Sequence, residues 1–134
     1  MKVVFRGMND PLDILNCYGP YCDRVSFWDR VLNGGLLNSP YLILGGDLNI
    51  TLNALDIWGK CAILDPLSSH FKQLFDSVGL TDVAPPCSGP TWRNGQVGDE
   101  GINKRLDRFL VSSSLIPFLS LHHVWNHHTD ISDH

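Results

Sequence analysis

Tyr41-Leu42-Ile43-Leu44-Gly45-Gly46-Asp47-Leu48-Asn49 is the stretch that decides the fold. Tyr41 to Leu44 is apolar without alternation and bounded by Pro40 and Gly45-Gly46. A short run of that kind has both faces covered, so it predicts a buried central strand. Asp47 follows the strand at once. The strand fixes its position and the two glycines leave room beside it. An aspartate there can activate a water or bind a cation, and Asn49 can hold a phosphate oxygen from the same side. A plain turn also accounts for Gly, Asp and Asn together.

On the N-terminal side, Lys2 to Arg6 reads as a strand around Val3-Val4-Phe5. Gly7 to Pro11 is turn material. Ile14 to Tyr18 reads as a second strand, closed by Gly19-Pro20, and the two strands can form a hairpin. Asp23 is the expected N-cap of a helix to about Leu32, with Val25, Trp28, Val31 and Leu32 on one face and Gly34-Gly35 ending it. On the C-terminal side, Asp65 to Val78 predicts a helix. Asp65 caps it, Pro66 takes the first position, Leu67, Phe71, Leu74, Phe75 and Val78 form the stripe, and Gly79 stops it.

Thr91-Trp92 begins a strand and Asn94 to Gly101 is a hairpin tip. Arg105 to Val111 reads as a strand with Arg105, Asp107, Phe109 and Val111 on one face. Ser112 to Leu119 reads as a short helix interrupted at Pro117. Strands and helices mix without a regular βαβ period. A sandwich covered by helices therefore fits better than a doubly wound sheet.

Composition narrows the function. The 134 residues suit a single domain. Ten Lys and Arg against fourteen Asp and Glu give a net charge of −4, which excludes a strongly basic nucleic-acid coat. Binding to DNA would need a local patch or a metal. Thirteen of the fourteen acids are Asp, and the single Glu is Glu100. Cys17, Cys22, Cys61 and Cys87 make no C-x-x-C pair and follow no secretory signal, so reduced thiols in an intracellular protein are expected. No aliphatic run reaches membrane-spanning length.

Other residues carry a structural reading beside a chemical one. Asp107 lies within an otherwise apolar strand, where Asp is disfavoured. It either pairs with Arg105 or Arg108 at the surface or orients a histidine in a hydrolytic dyad. Asp133-His134 ends the chain, and such a terminal pair is ordinarily frayed. Tyr18 is either a turn-preceding tyrosine or a phosphate-contacting hydroxyl. His122, His123, His127 and His128 read as a solvated loop, with zinc binding as the lesser alternative. Arg93, Lys104, Arg105 and Arg108 form a modest basic cluster near Trp92, which could stack on a base.

Taken together, four motifs resemble the endonuclease/exonuclease/phosphatase superfamily in order and spacing. They are Asn16-Cys17-Tyr18-Gly19-Pro20, Gly46-Asp47-Leu48-Asn49, Arg105-Leu106-Asp107-Arg108-Phe109-Leu110 and Ser132-Asp133-His134. Phe27-Trp28, Gly79-Leu80-Thr81-Asp82-Val83 and Pro90-Thr91-Trp92 look like the endonuclease domain of plant LINE-type (non-LTR) retrotransposons. The resemblance implies a four-layer α/β/β/α sandwich that hydrolyses phosphodiesters with Mg²⁺ or Mn²⁺. It implies that Asp47 positions or deprotonates the attacking water, and that Asn49 and Tyr18 hold the scissile phosphate. Asp107 and His134 would form a dyad and Asp133 would help hold the metal, while Trp92 and Arg105 would contact DNA. A reverse transcriptase domain in the same polyprotein and a nuclear location would follow.

The sequence also departs from the family. A strand carrying the principal metal-ligand Glu should stand well before Tyr18, yet only seventeen residues precede it, and Glu100 lies in the wrong place. The last strand, beyond the motif histidine, is absent too. The expectation is a C-terminal part of the domain, incomplete at both ends of its sheets, marginally stable and inactive alone. The alternatives are a non-catalytic retroelement remnant or a nucleic-acid-binding module.

Overall fold

A computed structural model describes residues 1–4, 10–60, 63–85 and 89–119. Its centre is a five-stranded sheet. The strands are β1 (Lys2–Val3), β2 (Leu12–Asn16), β3 (Leu42–Asp47), β5 (Leu80–Asp82) and β8 (Asp107–Ser112), in the order β1-β2-β3-β8-β5. A three-stranded sheet, β4 (Ile57–Trp58), β7 (Asn103–Lys104) and β6 (Trp92–Arg93), adjoins it in the order β4-β7-β6. Two helices complete the mixed α/β architecture, α1 (Arg24–Asn33) and α2 (Ser68–Ser77).

The stretch from Tyr41 does form the centre. β3 pairs parallel with β2 and antiparallel with β8. The central strand thus has an antiparallel neighbour, which a doubly wound sheet would not give it. β1 and β2 form the expected antiparallel pair, Lys2 opposite Asp13.

Leu42 and Leu44 of β3 and Leu110 of β8 point to the helical side. They pack with Trp28 of α1 and Phe71, Leu74 and Phe75 of α2, all buried. Each such side chain taken from water contributes about 1.5–3 kcal/mol. On the other face Val111 packs with Leu12 and Leu115, and Val3, Ile14, Ile43 and Val83 flank them. Phe109 lies on this second face and remains 46% exposed.

Several boundaries differ from expectation. Asp23 does precede α1, but it adopts a left-handed conformation and its side chain makes no cap. α2 begins at Ser68 because Pro66 and Leu67 form the turn before it, in which Asp65 accepts from the Leu67 amide. The segment after β8 is a single 3-10 turn at Ile116–Phe118. The larger correction concerns Arg105. β8 starts at Asp107, so strand alternation does not reach Arg105 and it does not share a face with Asp107. Its amide donates instead to the Asp56 carbonyl.

Candidate functional site

Two backbone features place Asp47. β3 and β8 are in a register that sets Asp47 directly opposite Asp107. The Leu48 amide donates to the Leu106 carbonyl at 3.1 Å, so this is a non-hydrogen-bonded antiparallel pair. Side chains approach most closely in such pairs, with Cα atoms about 4.5 Å apart. Both aspartates fall on the face turned away from α1 and α2.

Gly46 makes the approach of the preceding segment possible. It has φ +130°, and a Cβ there would stand 2.2 Å from the Cys17 carbonyl oxygen. Gly19 does the same one step on, where a Cβ would meet the Leu48 carbonyl oxygen at 2.1 Å. The Gly19 amide donates to the Asp47 carbonyl at 2.7 Å. This ties the Tyr18 turn to the end of β3 and leaves the Tyr18 side chain 68% exposed. Burial, and after it the charge of Asp47, pushes the Cys17 thiol above its ordinary value. Cys17 and Cys22 are free thiols, while Cys61 and Cys87 lie outside the described residues.

Asn49 is buried and left-handed, φ +52°. Its amide donates to Asp47 Oδ1 at 2.9 Å, which fixes the carboxylate in an Asx turn. Its Nδ2 donates to the Gly19 carbonyl at 2.6 Å. Its Oδ1 has no hydrogen-bond partner among the described residues.

Asn49 also lines a cleft of about 350 Å³ with Tyr21, Arg24, Trp92, Lys104 and Leu106. Lys104 Nζ lies 5.9 Å from the centre of the Trp92 ring, within cation–π range. Arg24 is part of the cleft lining. It is ion-paired to Asp65 and donates to the Asn49 carbonyl at 3.2 Å. Burial alone would raise the Asp65 carboxyl, but the Arg24 hydrogen bond and the Leu67 amide outweigh it and hold the group below the usual carboxylate range.

Arg105 and Arg108 are not in the cleft. Arg105 is 3% exposed, with Nη2 2.7 Å from Asp82 and Nη1 3.3 Å from Asp56. Arg108 Nη1 donates to Asp82 at 2.6 Å and its Nη2 to Asp56 at 2.7 Å. Asp56 accepts from the Leu52 and Asn53 amides as well. Burial would raise Asp56, yet the charge and hydrogen bond of Arg108 and those two amides hold it below its ordinary value. Burial would likewise lower Arg105, and Asp82 and Asp56 raise it instead. The expected DNA contact of Arg105 is therefore replaced by a buried ion cluster. The basic patch near Trp92 reduces to Arg93 and Lys104.

Sequence reasoning missed two contributors. Asp56 escaped because nothing in Asn53-Ala54-Leu55-Asp56 marks it beyond turn composition. Thr91 was noticed only as part of a motif. Its hydroxyl oxygen accepts from both the Leu106 and Asp107 amides at 3.0 Å, fixing the start of β8. Asp133, His134 and the four clustered histidines lie outside the described residues. Among the described residues no three His, Cys, Asp or Glu side chains come together as a metal-binding group, and Glu100 sits in a turn of the β6–β7 hairpin. No helix among them is long and apolar enough to cross a membrane.

The model of the Endonuclease/Exonuclease/phosphatase family matches residues 14–134. Among solved structures, the endonuclease domain of TRAS1, a telomere-specific non-LTR retrotransposon, matches with a TM-score of 0.58 at 17% identity. The match covers 84% of this chain and 49% of that one, so the chain spans about half of that domain. At this identity the likeness shows the fold. No curated protein matches the chain.

Proposed function

The chain belongs to the endonuclease/exonuclease/phosphatase family, and on that premise we propose that it is part of a DNA endonuclease of the non-LTR retrotransposon type. In this reading Asp47 positions or deprotonates the water that attacks a phosphodiester. Asn49 and Tyr18 hold the scissile phosphate, and Asp107 acts with His134 to stabilise charge on the phosphoryl group. Trp92, with Lys104 in the place expected of Arg105, contacts the flanking nucleotide. The single observation that carries the reading is the cross-strand pairing of Asp47 with Asp107, with Asn49 bound to the first of them.

The physical logic is that of an anionic substrate. A phosphodiester repels nucleophiles, so fixed donors and a cation must offset the charge that grows in the transition state. Family members supply that cation as Mg²⁺ or Mn²⁺, to which Asp133 would contribute. The described residues bring two facing carboxylates and the Asn49 carbonyl oxygen, and do not build a metal site by themselves. The alternatives for the 134 residues alone are a non-catalytic retroelement remnant and a nucleic-acid-binding module. A reverse transcriptase domain in the same polyprotein and a nuclear site of action belong to the proposal.

Plasmid nicking tests both halves. The 134-residue chain with Mg²⁺ or Mn²⁺ is expected to leave supercoiled DNA intact, and metal-dependent nicking by it would end the claim of inactivity. A chain extended upstream in its native reading frame is expected to nick. There Asp47→Ala should lower the rate by about 10²–10⁴-fold, the usual yield of a positioned general base. Nicking unchanged by Asp47→Ala would overturn the assignment.

A further inference from the structure

We infer that the buried cluster of Arg105, Arg108, Asp56 and Asp82 is a positioning device that holds Asp107 opposite Asp47. The inference rests on the functional reading of Asp107 and extends it to residues that no comparison assigns.

Three observations support it. First, the cluster brackets Asp107 in sequence, two residues before it and one after. Second, it ties that segment to two others. Asp82 comes from β5, the neighbour of β8 on the side away from β3. Asp56 ends the turn after the Asp47–Asn49 segment, and the Arg108 Nε donates to the Ile50 carbonyl at 3.2 Å, directly after Asn49. The two chain segments that carry Asp47 and Asp107 are thus joined through guanidinium forks as well as through the β3–β8 ladder. Third, two arginines and two aspartates compensate in charge, and each guanidinium meets both carboxylates.

Such a cluster is a poor source of stability, since apolar residues of similar volume often serve as well. Its use is in fixing one arrangement among several. The end of the ladder needs holding at this point. β3 ends at Asp47 next to two glycines, whose missing side chains contribute nothing to the alignment. The planar fork of arginine is suited to the task, because two parallel bonds to a carboxylate fix direction as well as distance.

Cross-linking of the full 134-residue chain tests this without reference to nuclease activity. In a background with Cys17→Ser, Cys22→Ser, Cys61→Ser and Cys87→Ser, the pair Asp47→Cys with Asp107→Cys reports the approach of the two strands beside the cluster. Ile43→Cys with Val111→Cys reports it four residues away in the same ladder. Adding Arg105→Met with Asp82→Asn leaves the Arg108–Asp56 pair balanced. It is expected to slow disulfide formation between positions 47 and 107 at least about tenfold, as Cα atoms beyond about 7 Å cannot be bridged. The 43–111 rate should not change.

An unchanged 47–107 rate would overturn the inference. So would equal slowing of both pairs in a folded chain, which is what a merely structural role produces. If that variant loses its helical circular dichroism, Arg105→Lys decides. It keeps the charge and loses the fork, so selective slowing at 47–107 supports the inference, and parallel slowing or none overturns it. Because the readout is geometric, its failure leaves the nicking test of Asp47 standing, and failure of the nicking test leaves the cross-linking result standing.

Discussion

At the end of the sheet where β3 meets the start of β8, one face turns Arg108 toward Asp56 and Asp82, and the other turns Asp107 toward Asp47. Both faces therefore carry two aspartates. On the first, each carboxylate lies within 3.3 Å of guanidinium nitrogens from both Arg105 and Arg108. On the second, the two carboxylates face each other across the strands, and Asp47 is oriented by the Asn49 amide. Burial of a charge demands compensation. The first pair meets that demand with cations and becomes structure. The second pair is set face to face by the register of β3 and β8. Residue type is the same, and what surrounds it separates scaffold from candidate chemistry.

The largest test of that difference is Asp56→Ala. It strips a carboxylate from the buried Arg108 and an acceptor from the Leu52 and Asn53 amides. Breaking a buried pair from one side costs about 3–5 kcal/mol. Urea unfolding followed by circular dichroism should show the variant largely unfolded without denaturant. Asp47→Ala removes, among its contacts, the acceptor of the Asn49 amide, and should cost less, about 1–2 kcal/mol. Equal losses would erase the distinction between the faces.

Acid should separate the two faces in the same sense. Asp56 has a folded-state pKa below its unfolded value of about 3.9. Its contribution to stability is then present above about pH 4 and lost as the pH falls through the folded value. Asp65, held low by Arg24, adds a second contribution of the same sign. Urea midpoints should be flat from pH 7 to about pH 5 and drop below about pH 4. Asp65→Asn should make the drop shallower. A midpoint that rose on acidification would mean that these ion pairs do not form in solution.

How much of this the sequence disclosed depends on the range of the interactions. Tyr41 to Leu44 announced a central strand because burial on both faces leaves an unbroken apolar run. The α2 stripe and the glycine-rich tip after β6 were equally legible, since helical spacing and glycine-rich turns are local. Asp47, Asn49 and Asp107 were singled out from their places in strands, but that Asp47 faces Asp107 is a matter of register, set by residues sixty positions apart. Arg105 is obscured for the same reason. It lies two residues before β8 begins, where strand alternation does not hold, and its partners Asp82 and Asp56 are distant in the chain. The choice between an exposed arginine and a buried one is made by those partners, which no local pattern encodes.

Arg24 offers a smaller and more specific probe. It joins the start of α1 to Asp65 and to the Asn49 carbonyl, and its guanidinium carbon lies 5.7 Å from the centre of the Phe71 ring. Arg24→Met keeps an apolar stem over Phe71 and loses the ion pair. A partly buried charged hydrogen bond of this kind is worth about 1.5–3 kcal/mol before solvent screening reduces it. A loss of about 1–2 kcal/mol is expected from urea unfolding. A larger loss would make Arg24 a second scaffold cation, on the same footing as Arg108.

The smallest expected effect on stability is the sharpest on function. Lys104 is half-buried beside Trp92, and its cation–π contact contributes about 0.5–1 kcal/mol at such a site. Lys104→Met should therefore leave the unfolding curve nearly in place. If Lys104 meets a DNA phosphate, the variant should bind duplex DNA more weakly, and the slope of log affinity against log salt should shrink by about 0.9. Arg93, also at the surface, should behave likewise. Arg105→Met should do the reverse, changing stability strongly and the slope not at all, because its charge is neutralised by Asp82 and Asp56. A slope altered by Arg105→Met and untouched by Lys104→Met would exchange the roles of the two cations and return Arg105 to the DNA-contacting place its sequence position suggests.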